Sequence, residues 1–214
     1  MNIAKPDEDP PPGPFTRADE AEDGLFYVSP RKVVHLEPGA IEVLRNLYAR
    51  LIAPGGDVLD LMSSWRSHLP EGLGHVTGLG LNDEEMRENP QLGGHVLQDL
   101  NRSPLLPFPD AAFDAVVCSV SVQYLIHPDV VFGEVHRVLK PGAPVIVSFS
   151  NRCFPTKAVA AWLGADDDGH RLLVRGYLEQ ASLIDIVDEQ VVTPDDPLFV
   201  VAGRRPITGQ PRET

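Results

Sequence analysis

The residues of this chain that could do chemistry sit where apolar runs end. Asp60 lies in DVLDL, Asp99 follows VLQ, and Tyr124, His127, Asn151, Arg152 and Cys153 follow two later apolar runs. A carboxylate at a strand end borders a cleft, and while ionised it can only accept hydrogen bonds. The polar cluster Asn151-Arg152-Cys153 follows an apolar run directly, which packing alone does not require. His127 precedes Pro128 and is suited to proton transfer near neutral pH. Cys153 has no positioned His to activate it. His68, His127 and His136 lack metal-ligand spacing, so no metal is expected. Asp166-Asp167-Asp168-Gly169 lacks the later ligands of a calcium loop and reads as a solvated turn.

Composition narrows the setting. The 214 residues carry a net charge of -13, with 43% hydrophobic and 23% charged residues. Those fractions are ordinary for a globular protein. The acidic excess disfavours phosphate backbones and anionic membrane surfaces, so neither nucleic acid nor membrane is an expected partner. Cys118 and Cys153 give no disulfide framework, which suits a reducing cytoplasm. No apolar run is long enough to span a bilayer, and MNIAKPDEDPPPGP has no apolar signal core. The protein is expected to stay in the cytoplasm.

Residues 1–24 are rich in Pro, Asp and Glu and read as a disordered tail, with Phe15 able to dock locally. Residues 25–206 form the expected domain, and 207–214 a flexible tail. Helical periodicity covers 39–52, with Ala40, Leu44, Leu47, Tyr48 and Leu51 on one stripe. A second helix over 129–139 turns Val131, Phe132, Val135, Val138 and Leu139 inward and stops at Lys140-Pro141-Gly142. Strands are expected at 57–61, 75–81, 94–98, 113–119 and 143–150, then at 183–192 and 198–202 around a turn at 193–196. Residues 154–180 carry no readable motif. Strands alternating with helices, then a closing hairpin, predict an α/β, Rossmann-like doubly wound sheet, mostly parallel. Ligands bind such sheets beyond the carboxyl ends of the strands. The candidate site is therefore 61–65, 80–83, 99–100, 120–124 and 151–153.

Four segments then stand out together: GGDVLDL, VTGLGLNDEEM, QDLNRSPLLPFPDAAFDAVVCSVSVQYL and HRVLKPGAPVIVSFS. In order and spacing they resemble the class I S-adenosyl-L-methionine (SAM)-dependent methyltransferases of the type 11 kind. The resemblance implies SAM as cofactor. It places Asp60 at the acid that receives the SAM ammonium, and Asp99 at the acceptor for the adenine amino group. Leu81 and Leu100 then flank the adenine ring.

Two positions depart from the family pattern. The loop after Asp60, Met62-Ser63-Ser64-Trp65-Arg66-Ser67, holds no glycine where the family has a GxGxG-type loop. Gly80 stands where the family places the acid that accepts both ribose hydroxyls. Asn82, Asp83 or Glu84 is a conceivable substitute. Ser63 reads either as a contact to the ligand carboxylate or, more commonly for Ser at such a junction, as the N-cap of a short helix reaching Leu69. Asp60 reads as a ligand or as an acidic cap for the turn. Trp65 reads as core or cleft wall, and Arg66 as a solvated surface residue.

The resulting expectation is a SAM-dependent methyltransferase acting on a small molecule. Asp60, Ser63, Gly80, Leu81, Asn82, Asp99 and Leu100 would hold the cofactor, and Tyr124, His127, Asn151 and Arg152 would face the acceptor. The competing expectation is a catalytically inactive relative that binds a ligand or a protein.

Overall fold

The computed structural model describes residues 13–192 and 197–207. Seven strands make one sheet in the order β3-β2-β1-β4-β5-β7-β6. They are β1 Val58–Leu61, β2 Val76–Gly80, β3 Gly94–Leu97, β4 Ala115–Ser119, β5 Pro144–Phe149, β6 Ile184–Val192 and β7 Pro197–Arg204. β1 to β5 run parallel, whereas β7 pairs antiparallel with both β5 and β6. The Rossmann-like doubly wound sheet with a closing hairpin is thus observed. The expected hairpin turn at 193–196 lies outside the described residues.

The sheet is doubly covered because its central strands alternate between two apolar faces. Val116 and Cys118 of β4 join Val145 and Val147 of β5 in one core. Ala115 and Val117 point the other way, into a core with Ile146. Helix α2, Pro38–Leu51, covers the second core with Ala40, Leu44, Leu47 and Tyr48. Helix α4, Pro128–Val138, covers the first with Val131, Phe132, Val135 and Val138. Each helix begins with proline in its first turn, where the missing N–H costs nothing.

The remaining helices are short or cross regions unread in sequence. They are α1 Asp23–Phe26, α3 Asp83–Arg87, α5 Ala160–Leu163 and α6 Asp167–Gln180. Asp166 accepts from the Gly169 amide and caps α6, so the expected solvated turn at 166–169 is instead a helix start. Its acids also lie at the positive end of the helix dipole.

Residues 13–24 differ from the expected disordered tail, which survives as an expectation only for 1–12, outside the described residues. Asp23 is 3% exposed and Lys157 0%. Arg17 donates to both Asp23 oxygens at 2.8 Å, and the Lys157 ammonium lies 3.2 Å from Asp23 and 3.1 Å from Asp19. Lys157 also donates to the Ala21 carbonyl at 2.7 Å. Composition suggested a tail because apolar content is low, but here paired charge supplies the anchor. Residues 208–214 of the expected C-terminal tail are also outside the described set.

Candidate active site

The carboxyl ends of β1 to β4 open into one cleft. Its floor includes Asp60, Ser63, Leu79, Gly80, Leu81, Asp99, Leu100, Ser119 and Ser121. Three side-chain-bearing residues that line the cleft adopt left-handed backbone, Met62 (φ 57°) and His68 (φ 57°) after β1 and Val120 after β4 (φ 47°). Such conformations are costly, cost most for a β-branched residue, and cluster at functional sites.

Asp60 is 2% exposed. Its Oδ2 accepts from the Ser63 and Ser67 hydroxyls, each at 2.6 Å. Among the described residues nothing donates to its Oδ1. Burial pushes the Asp60 carboxyl up to about 6, against the opposing pull of the two serines. Asn89 extends the network, donating to Ser67 Oγ at 2.8 Å and to the Ser64 carbonyl at 2.9 Å. Ser63 is therefore no N-cap, and the expected short helix over 63–69 is absent. The Ser63 hydroxyl turns to Asp60 instead, and left-handed Met62 and His68 (φ 57° each) break any helical run between them.

The two departures from the family pattern prove to be one structural feature. The Ser63 amide donates to the Leu79 carbonyl at 2.8 Å, which draws the loop across the end of β2. A Cβ on Gly80 would stand 2.3 Å from the Ser63 carbonyl oxygen, and one on Gly78 would stand 2.6 Å from Leu92 Cδ1. The close backbone approach that glycines provide has moved from the loop to the strand beside it.

The substitutes considered for the ribose acid are otherwise engaged. Asn82 caps α3 by accepting from the Glu85 amide at 3.0 Å, and its Nδ2 donates to the Tyr27 carbonyl at 2.8 Å. Asp83 pairs with His95 and Arg87, each at 2.9 Å. Glu84 lies 3.7 Å from Lys32. Asp99 is free at one oxygen: its Oδ1 accepts from the Asn101 amide at 2.9 Å, and nothing among the described residues donates to Oδ2.

A strap formed by residues 23–35 roofs the cleft. Asn101 ties Asp23 at 2.8 Å, and Asn82 ties the Tyr27 carbonyl. The Arg31 amide donates to Glu85, whose other oxygen accepts from Ser64 Oγ at 2.5 Å. Trp65 Nε1 donates to the Val33 carbonyl at 3.1 Å, and Ser150 Oγ to the His35 carbonyl at 3.5 Å. Ser64 and Trp65 of the glycine-free loop thus serve as docking points for the strap.

Of the acceptor-side candidates, Tyr124 lines the cleft, buried, with its hydroxyl accepting from the Phe154 amide at 2.9 Å. His127, Asn151 and Arg152 do not line it, contrary to expectation. All three are exposed. His127 is the N-cap position of α4, and Arg152 donates to Glu37 at 2.7 Å. Burial raises the Cys153 thiol, which disfavours a nucleophilic role. Sequence reasoning missed Tyr27, Arg31, His35 and Glu85. The aromatic and basic run LFYVSPRKVVH was the one visible signal for Tyr27, Arg31 and His35, and Glu85 had none.

Comparison with known proteins agrees with this geometry. A family model described as a methyltransferase domain matches residues 63–147. A malonyl-[acyl-carrier protein] O-methyltransferase of Marinomonas sp. is 32% identical over 82 residues, 38% of this chain and 29% of that protein. A ubiquinone/menaquinone biosynthesis C-methyltransferase of Burkholderia multivorans is 26% identical over 174 residues, 74% of this chain and 65% of that protein. The chain spans less than two thirds of the length of either relative. In a Haloferax volcanii complex between the Trm112 methyltransferase activator and its methyltransferase, a chain superposes with TM-score 0.59 at 16% identity, covering 78% of this chain and 90% of that one. Ordered motifs, strand order and relatives agree: residues 63–147 match a methyltransferase domain, and the chain is similar to SAM-dependent methyltransferases of the class I fold.

Proposed function

We propose that the protein is a working SAM-dependent methyltransferase with a small-molecule acceptor. The observation that carries this reading is that Asp60 and Asp99 line the same roofed cleft, each with one oxygen held by the protein and the other open to a ligand. Asp60 Oδ1 suits an ammonium, with Ser63 beside it. Asp99 Oδ2 suits the adenine amino group, between Leu81 and Leu100. Gly80 contributes close backbone, and Asn82 holds the roof. The ribose hydroxyls meet no acid on Gly80, so the chain relies on the two ends of the cofactor. When bound there, SAM supplies an electrophilic methyl group, and transfer depends chiefly on positioning and exclusion of water. The strap provides both. A net charge of -13 supports a small acceptor over a nucleic acid, and two free cysteines support a reducing cytoplasm.

One observation favours the inactive alternative. Ser63 and Ser67 already satisfy Asp60 Oδ2, and the Ser63 carbonyl lies over Gly80, so the loop is complete without a ligand. Calorimetric titration with SAM and S-adenosylhomocysteine separates the two. Saturable binding of both supports the enzyme; no heat and no thermal shift at millimolar concentration overturns it.

A further inference from the structure

Beyond the cofactor positions, the cleft ends in an aromatic pocket whose charged neighbours, Asp23 and Arg31, are each engaged by other protein groups. The Tyr124 and Phe154 rings stack at 6.1 Å. The Phe154 ring meets the edges of Tyr27 at 6.5 Å and His35 at 5.1 Å, and Phe26 packs behind them at 5.5 Å. Tyr27, Tyr124, Phe154 and His35 all line the cleft. The Arg31 guanidinium is occupied over the Phe26 ring at 4.0 Å and on the Phe26 carbonyl at 3.1 Å.

We infer that the acceptor is a planar, uncharged hydroxy-aromatic molecule received beneath the strap against Tyr27 and Phe154, with His35 taking its hydroxyl proton. Aromatic faces and edges favour another ring over a saturated molecule of equal size. The tyrosines and His35 at this end are neutral, and the carboxylate nearest Tyr27, Asp23, is paired with Arg17 at 2.8 Å. Burial raises both tyrosines, Tyr124 to about 12, so neither ionises near pH 7. Burial and the Arg152 charge lower His35, leaving a ring nitrogen with a lone pair. The remaining neighbours are Arg31 on the strap, Asp23 paired with Arg17 and Lys157, Arg152 paired with Glu37 at the N-cap of α2, and the Cys153 thiol, which burial raises. As the acceptor O–H bond breaks, its proton passes to the imidazole. The oxygen lone pair forms the bond to the methyl carbon while the carbon–sulfur bond breaks, its electron pair staying on sulfur.

The assignment rests on the proposed methyltransferase activity, but the pocket can be tested without it. Binding of 2-naphthol and of its saturated analogue decahydro-2-naphthol to the cofactor-free protein is measured by calorimetry. Naphthol should bind at least tenfold more tightly, and Tyr27→Ala should erase the difference. Equal affinities, or no binding of either, overturn the aromatic subsite whatever SAM does. For His35→Gln, S-adenosylhomocysteine affinity should stay within twofold while turnover of a phenol falls about 100-fold or more, as expected for loss of a general base. That loss should shrink below tenfold for a nitrophenol already ionised at the assay pH. An equal loss for both acceptors, or none, removes His35 as the base. Failure of S-adenosylhomocysteine to bind the unmodified protein instead overturns the methyltransferase reading and leaves the naphthol comparison standing.

Discussion

The Ser63 carbonyl oxygen lies so near the Gly80 Cα that a Cβ there would stand 2.3 Å from it. This contact explains why the chain lacks both a glycine-rich loop and an acid at the end of β2. An acid could occupy position 80 only if the loop withdrew, and the loop is held by Leu79 and Asp60. Restoring the family's acid alone should therefore fail. Gly80→Asp is expected to cost about 1–3 kcal/mol through overpacking, and to weaken S-adenosylhomocysteine rather than strengthen it. Urea unfolding and calorimetry give both numbers; a gain in affinity at unchanged stability would contradict the coupling.

The buried Asp60 carboxyl titrates near 6, above its ordinary value of 3.8. Between those values the folded protein holds a proton that the unfolded chain has released, so stability falls as pH rises through that window. Above it the ionised form costs on the order of 3 kcal/mol. Asp60→Asn should accordingly raise the melting temperature at pH 7, leave it nearly unchanged at pH 4, and abolish binding of the cofactor ammonium. Melts at both pH values check the sign; a variant less stable at pH 7 refutes it.

Asp99 offers its Oδ2 to the cleft. Asp99→Ala removes a charge-assisted acceptor worth about 1.5–3 kcal/mol, or roughly tenfold to 100-fold in affinity. S-inosylhomocysteine, which lacks the adenine amino group, should bind the wild type correspondingly weakly and the variant no worse than S-adenosylhomocysteine does. Parallel losses in both proteins would place the amino group elsewhere.

Lys157 anchors the strap through Asp19, Asp23 and the Ala21 carbonyl. Lys157→Ala leaves Asp23 with Arg17 and Asn101 in a buried setting and is expected to cost about 3–5 kcal/mol. Before global unfolding, amide exchange should accelerate across residues 23–35. Uniform acceleration over the whole sheet would mean that the strap is not a separate unit.

Much of this protein was legible from residue order. Period-two and period-3.6 patterns placed the sheet and the helices α2 and α4, because burial alone selects those periods. Ordered motifs placed Asp60, Leu81, Asp99, Leu100 and Tyr124 at one cleft, since strand ends in a doubly wound sheet converge. Tertiary structure decided what lies over that cleft. The anchors of the strap have no local signal, because Arg17, Asp23 and Lys157 are stabilised by one another across more than a hundred residues of chain. His35 displaced His127 as the candidate base for the same reason: sequence shows proximity to a motif, whereas only the fold shows that His35 and His68 line the cleft, His35 among its aromatics, and that His127 does not. The glycine-free loop, two separate anomalies in sequence, became a single one once the Ser63 backbone was seen resting on Gly80. A contact between backbone atoms leaves no trace in sequence except the side chain that must be missing.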